Sequence, residues 1–222
     1  MLNCVVHQIW MNPKENDIIT KPGERHIKYM KDWRNCEKYY LWNHITMREF
    51  IMEQDNTFLE IYDKLPLWIN RCDVFRYFVL YYIGGIYADC DLEIKSYDKM
   101  NELIDKYNLI FVDSGVINFD NYFIYSIKEH KFMEDCYKTI NINSTDLLIG
   151  NAVQMKRIYS LYNGNDKLHA KSYDLPVHHY ASRSWLTDYS YDITTTYILP
   201  VGVFLIIVIS LLLIIRLVYE PM

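Results

Sequence analysis

Residues Arg71–Glu93 read RCDVFRYFVLYYIGGIYADCDLE, and this stretch decides the fold. A helix is predicted from about Leu67 or Asn70 to Ile83, stopped by Gly84-Gly85, because glycine accepts the left-handed backbone just past a helix end. Ile86–Ile94 then reads as a strand, β-branched and aromatic at its start. On a strand, Tyr87, Asp89 and Asp91 share one face. On the helix, Asp73 and Arg76 are i, i+3 neighbours. The helix spans ~20 Å and the returning strand ~20 Å in six residues. If the chain doubles back at the two glycines, Arg76 and three carboxylates meet at one strand end, where open α/β sheets bind ligands. Paired carboxylates there offer oxygen ligands to a hard divalent cation that shares them with phosphate and water. The Asp89-Cys90-Asp91 triplet alone is weak evidence, since chance supplies about one such triplet in a chain this rich in aspartate. The surrounding block gives it weight.

Outward from that block, Asn3–Trp10 has the length and composition of a buried strand and ends at the turn Met11-Asn12-Pro13. Arg25–Asn35 reads as a short helix, Tyr39–Asn43 as a strand, and Thr46–Lys64 as one helical stretch broken by Pro66. Leu109–Val112 is a third strand candidate, Tyr122–Ile127 is helix or strand, and Lys131–Ile140 is helical. Strands alternating with helices predict an α/β domain with a largely parallel sheet. His7 reads as core-facing, as do Tyr77, Tyr81 and Tyr82 on the long helix.

The chain has 222 residues, 51% hydrophobic and 23% charged, so it is neither disordered nor of low complexity. A net charge of −5 carries no basic footprint and argues against nucleic acid as a partner. The 21 tyrosines are first a codon-composition signature. Five scattered cysteines, Cys4, Cys36, Cys72, Cys90 and Cys136, form no close pair and predict free, mostly buried thiols rather than disulfides or a zinc site. Met1–Trp10 lacks the basic start and long apolar run of a secretory signal. Ile198–Ile215 is free of charge and as a helix would span ~27 Å of a ~30 Å hydrocarbon core. With Tyr197 and Tyr219 at interfacial depth, this predicts a single transmembrane helix over 197–219 behind a catalytic-sized domain over 1–193. One basic residue on each flank leaves the facing side open.

The central block resembles the DXD-containing glycosyltransferases of family 32, relatives of inositol phosphoceramide mannosyltransferases and yeast α-1,6-mannosyltransferases. Their pattern is filled at Asp73, Arg76, Tyr77, Leu80, Tyr81, Gly84, Gly85, Tyr87, Asp89 and Asp91. The resemblance extends to His7-Gln8-Ile9-Trp10, to Asn121–Phe132, and to His178-His179-Tyr180 with Ser184-Trp185. Ile149-Gly150-Asn151 stands where the family has a Thr-Gly-Pro segment. The resemblance implies a GT-A, Rossmann-like nucleotide-diphospho-sugar transferase fold of the α/β class. It implies that Asp91 ligates Mn²⁺ or Mg²⁺ and that Asp89 holds the ribose or, through water, the metal. Asp73 and Arg76 would contact the donor sugar and its phosphate. Tyr87 and Asn121 belong to the donor site, Trp10 would stack on the base, and Ser184 with Trp185 would bind the leaving phosphate. One of His178 and His179 would complete the metal shell.

The activity implied is a metal-dependent, retaining hexosyl transfer from a nucleotide sugar, with mannose from GDP-mannose the first choice. The acceptor would be a membrane-proximal glycolipid or glycan, and the location an ER/Golgi-type membrane. A different class of function is an inactive relative serving as a membrane-anchored binding or scaffold protein. A ligand-free structural membrane protein would fit the apolar tail but leave Arg71–Glu93 unexplained.

Overall fold

The computed structural model describes residues 1–11, 21–113, 119–140, 155, 158–162, 164–170 and 174–180. The chain divides into two units, Met1–Ala181 and Ser182–Met222, and all described residues belong to the first. The apolar segment 197–219 lies outside the described residues. Among these, no helix is long and apolar enough to cross a membrane.

The strands are β1 (Leu2–Ile9), β2 (Cys36–Trp42), β3 (Gly85–Ala88), β4 (Leu92–Ile94), β5 (Leu109–Asp113), β6 (Phe119–Ser126), β7 (Lys167–Ala170) and β8 (Val177–His179). The helices are α1 (Glu24–Trp33), α2 (His44–Gln54), α3 (Asn56–Asp63), α4 (Trp68–Tyr82), α5 (Tyr97–Lys106) and α6 (Lys131–Lys138). Six strands form one sheet in the order β2-β1-β3-β6-β5-β7, and β4 pairs with β8 in a separate two-stranded ribbon.

The sheet is mixed, where the sequence predicts a largely parallel one. β1 runs parallel to β2 and β3, and β5 runs parallel to β7, but β6 is antiparallel to both β3 and β5. Only five residues separate Asp113 from Phe119, too few for the crossover that a parallel pair needs. β5 and β6 therefore pair as a hairpin, and β6 fills the place beside β3.

Strand alternation sorts the interior into two cores. Ile86 and Ala88, Ile110 and Val112, and Phe123 and Tyr125 pack with Trp33, Met100 and Ile104 on the α1–α5 side. Tyr87, Leu109, Phe111 and Ile124 pack with Phe58, Phe75, Phe78 and Tyr137 on the α2–α3–α4–α6 side. Helices thus cover both faces, as parallel strands with buried faces require. His7 is fully buried on β1, its Nε2 2.9 Å from the Gly84 carbonyl while its Nδ1 accepts from Trp42 Nε1 at 3.2 Å. Burial lowers its pKa to about 4, so the ring is neutral.

The predicted helix over 46–64 is two helices. Asp55 leaves the helical backbone with φ −152° and ψ 86°, and its Oδ1 accepts from Thr57 N and Phe58 N, each at 3.1 Å. It is therefore the N-cap of α3. The two glycines behave as the sequence predicts. Gly84 and Gly85 have φ of +79° and +97°. A Cβ on Gly85 would lie 2.3 Å from the Val5 carbonyl oxygen, so β3 can leave α4 and pair closely with β1 only with glycine there. All five cysteines are free, with Cys4, Cys90 and Cys136 buried.

Candidate active site

The strand predicted over 86–94 is interrupted at the acidic triplet. β3 ends at Ala88 and β4 begins at Leu92, with Asp89, Cys90 and Asp91 in a turn between them. Leu92 N donates to the Asp89 carbonyl at 3.2 Å, and Asp89 N donates to Tyr122 O at 2.8 Å. Gln8 Nε2 and the Cys90 thiol also tie the turn to β1, bonding Asp89 O and Ile9 O, each at 3.2 Å. The turn therefore sits at the carboxyl edge of β1 and β3. Its two carboxylates do not share a strand face, and each has its own neighbours.

Asp89 keeps the alternation of β3 and joins Tyr87 on the α4 side. The buried Tyr87 hydroxyl donates to Asp89 Oδ1 at 2.6 Å. Arg76 reaches the same oxygen at 3.7 Å with Nη1 and bonds Asp73 Oδ1 at 2.7 Å with Nη2. Arg76 Nη1 also donates to Asn121 O at 2.6 Å, and its guanidinium lies 4.6 Å from the centre of the Tyr87 ring. Asn121 Nδ2 completes the circuit by donating to Asp73 Oδ1 at 3.1 Å. Burial raises the pKa of Asp89, against the opposing pull of Arg76 and the Tyr87 hydroxyl. The chain does double back at Gly84-Gly85, and α4 delivers Asp73 and Arg76 beside Asp89 from opposite ends of the block.

Asp91 turns instead toward the β4–β8 ribbon. His179 Nε2 lies 3.4 Å from Asp91 Oδ1, and Tyr180 N donates to Asp91 O at 3.1 Å. Burial lowers the His179 pKa, but Asp91, with Asp89 and Asp120 behind it, more than reverses that and raises it. The His179 ring packs 4.1 Å from Tyr122, whereas the neighbouring His178 is exposed and meets Tyr180 edge-on. Antiparallel pairing sets this choice, placing His179 opposite Leu92 and His178 opposite Glu93.

Trp10 follows β1, its backbone N–H held by Trp42 O at 2.8 Å. Its ring lies 4.8 Å from that of His26, and the buried Nε1 of Trp10 and Nε2 of His26 have no hydrogen-bond partner among the described residues. His26 and Arg25 on α1 both feel the charge of Asp91. Sequence reasoning missed these two α1 residues, together with Gln8 and Tyr122. Of the four, Gln8 and Tyr122 lie within segments that carry the resemblance, and the two α1 residues do not. Ser184 and Trp185 lie outside the described residues.

Asp91 and His179 offer an oxygen and a nitrogen ligand at a separation suited to one divalent cation. Asp89 is engaged by Tyr87 and Arg76. Among the described residues, no group of three or more His, Cys, Asp or Glu side chains is placed to hold a metal by itself. The donor set fits a cation whose remaining ligands come from diphosphate oxygens and water, as is usual for Mg²⁺ at phosphate sites.

Residues 22–110 match a family model described as the glycosyltransferase sugar-binding region containing the DXD motif. The chain is 43% identical over 89 residues to inositol phosphoceramide mannosyltransferase 3 of Schizosaccharomyces pombe, covering 40% of this chain and 24% of that protein. It is 26% identical over 132 residues to inositol phosphoceramide mannosyltransferase 1 of the same yeast, covering 58% of this chain and 40% of the relative. The chain therefore spans less than half the length of these curated relatives. Among solved structures, PaToxG glycosyltransferase aligns over 73% of this chain and 70% of its own at 16% identity and a TM-score of 0.49, too loose to argue from. The segment from residue 22 to residue 110, which contains Asp73, Arg76, Asp89 and Asp91, is thus similar to the glycosyltransferase sugar-binding region containing the DXD motif, and through it the chain resembles the DXD-containing glycosyltransferases of family 32.

Proposed function

We propose that the chain is a metal-dependent, retaining glycosyltransferase of GT-A architecture. In this reading it moves mannose from GDP-mannose to the headgroup of a membrane glycolipid or to a glycan. The carrying observation is the circuit of Asp73, Arg76, Asn121, Tyr87 and Asp89 beside the Asp91–His179 pair at the carboxyl edge of β1 and β3. The names of the yeast relatives supply the mannosyl group and the glycolipid class.

Breaking the anomeric C–O bond leaves negative charge on the departing nucleoside diphosphate, and the sugar passes through an oxocarbenium-like state. Asp91 and His179 would hold Mn²⁺ or Mg²⁺, which neutralises that developing charge when bound. Arg76 adds a fixed positive charge in a low-dielectric setting, where a preorganised charge acts strongly. Its bonds to Asp73 and Asn121 fix the Asp73 carboxylate for the hydroxyls of the donor sugar. Asp89, oriented by the Tyr87 hydroxyl, takes the ribose or a water on the cation. Trp10 offers its ring to the base, while Ser184 and Trp185 bind the leaving phosphate. The apolar segment 197–219 anchors the domain over 1–193 to an ER/Golgi-type membrane, near a lipid-borne acceptor. The charged side chains at 73, 76, 89 and 91 are all present, so nothing specific favours an inactive scaffold.

Ligands that bind only the folded state raise its melting temperature. A panel of GDP-, UDP- and dTDP-sugars is therefore tested by thermal shift with Mn²⁺ and with a chelator. GDP-mannose is expected to raise the melting temperature only with Mn²⁺. No shift from any nucleotide sugar overturns the reading.

A further inference from the structure

Two consecutive residues of α1 reach the proposed donor site from outside the Arg71–Glu93 block. His26 packs on Trp10, with the ring planes tilted by 58°. Arg25 lies over Tyr29, one turn further along the helix. Its Nε donates to the Tyr29 hydroxyl at 3.2 Å, and its guanidinium carbon is 5.9 Å from the centre of that ring. Tyr29 in turn stacks on Tyr180, with ring centres 4.0 Å apart and planes within 15°. Tyr180 closes the path, because its backbone N–H is the donor to Asp91 O at 3.1 Å, while its hydroxyl bonds Glu93 Oε2 at 2.7 Å. One residue of α1 thus touches the ring assigned to the base, and its neighbour is tied to the turn that carries Asp91. Between a base on Trp10 and a cation on Asp91 and His179 comes the diphosphate.

Charge gives Arg25 its part. The carboxylates of Asp73, Asp89 and Asp91 outnumber the Arg76 guanidinium by two, and a divalent cation would balance them. The diphosphate, which gains negative charge as the sugar leaves it, is then still uncompensated. Arg76 does not move out to meet it, being buried with Nη2 on Asp73 and Nη1 on Asn121 O. Arg25 is exposed, and among the described residues no ion pair with a carboxylate holds it. The bond from Nε to Tyr29 fixes one side of its fork and leaves both Nη groups to meet a pair of phosphate oxygens, the geometry that suits a guanidinium. The charge of Asp91 is felt at both Arg25 and His26, which sets them within its unscreened range.

We propose that Arg25 binds the diphosphate of the nucleotide sugar, from the α1 side of the cation site and whatever the base. This assignment rests on the glycosyltransferase reading for its ligand and adds to it a residue outside every segment that carries the family resemblance. The test measures GDP and UDP binding to the full chain with Mn²⁺ by calorimetry, at about 0.1 M and about 0.5 M salt. The variants are Arg25→Gln, Arg25→Lys and Lys31→Gln. Lys31 is an exposed cation in the last turn of the same helix, six residues on and on a different face, and controls for loss of charge alone. Arg25→Gln should weaken the nucleotide that the wild type binds by about tenfold at both salt concentrations, the loss of charge-assisted bonds. Arg25→Lys should fall between the two, and Lys31→Gln should stay within about twofold of the wild type. Arg25→Gln changes an exposed side chain, so its melting temperature should stay within about 2 °C of the wild type. Three results overturn the proposal while the transferase reading stands: Arg25→Gln binds as the wild type does, its loss is matched by Lys31→Gln or vanishes at high salt, or it weakens the nucleoside without phosphates equally. A wild type that binds neither nucleotide with Mn²⁺ overturns both.

Discussion

Replacing Arg76 with methionine tests the circuit at its centre. The Arg76 and Asp73 side chains are 4% and 7% exposed, and their 2.7 Å contact is the only ion pair among the described residues with both partners so deeply buried. Methionine fills most of the aliphatic volume but leaves the Asp73 carboxylate with Asn121 Nδ2 as its one remaining donor from this circuit, and leaves Asn121 O without its 2.6 Å partner. Removing one member of a buried pair costs roughly 3–5 kcal/mol, chiefly through the charge left behind. The 3.7 Å approach to Asp89 adds little, because that side chain is 35% exposed and screened. The expected loss is about 4 kcal/mol, or about 8–16 °C in melting temperature for a domain of this size. Asp73→Asn in the Arg76→Met background removes the negative charge that Arg76 offset and should restore part of the loss, giving a coupling of about 2 kcal/mol. Urea unfolding at pH 7, followed by tryptophan fluorescence, measures all four members of the cycle. A loss below ~1 kcal/mol for Arg76→Met, or additivity within ~0.5 kcal/mol, refutes the reasoning.

The buried, neutral His7 predicts a pH effect with a definite sign. Its folded-state pKa of about 4 lies below the unfolded value near 6.5, so the unfolded chain binds more protons in that window. Stability should fall by up to about 3 kcal/mol as pH drops from 6.5 to 4, and His7→Gln should flatten that limb; an unchanged slope in the variant contradicts the assignment. Gly85→Ala forces a side chain into φ +97° and against Val5 O, and should cost about 3 kcal/mol or more by denaturant unfolding. A near-neutral result would mean that the β1–β3 pairing is looser than described. His179→Phe should weaken Mn²⁺-dependent nucleotide binding more than His178→Phe does, and equal effects in calorimetry would remove His179 from the cation site.

Local chemistry made part of this legible from sequence. Gly84-Gly85 announces a helix stop and a close approach, and the i, i+3 spacing of Asp73 and Arg76 places them together whatever the rest of the fold does. What was not legible depends on partners distant in sequence. The strand breaks after Asp89 because Leu92 N turns back to the Asp89 carbonyl and β4 leaves the sheet to pair with β8, more than 80 residues on. Which histidine meets Asp91 is a matter of the register of β8 on β4, set more than 80 residues away in the chain. His26 and Arg25 reach the site because α1 packs over β4, with Trp33 Nε1 bonding Leu92 O at 2.8 Å, and nothing near residue 26 signals that. The strand Lys167–Ala170 alternates polar and apolar residues (Lys, Leu, His, Ala) but is only four residues long, the shortest run that such a pattern can mark. Asp55 was readable in principle, since Asp-Asn-Thr in a helical run is an N-cap signal.

The most direct test of the central claim is mannose transfer from labelled GDP-mannose to a glycolipid acceptor, comparing the wild-type chain with Asp91→Asn. The substitution keeps the shape of the side chain and removes its charge. Transfer with retained anomeric configuration should require Mn²⁺ or Mg²⁺ and fall by about 100-fold or more in the variant, whose melting curve stays that of the wild type. Undiminished transfer by Asp91→Asn in the presence of a chelator would contradict the account.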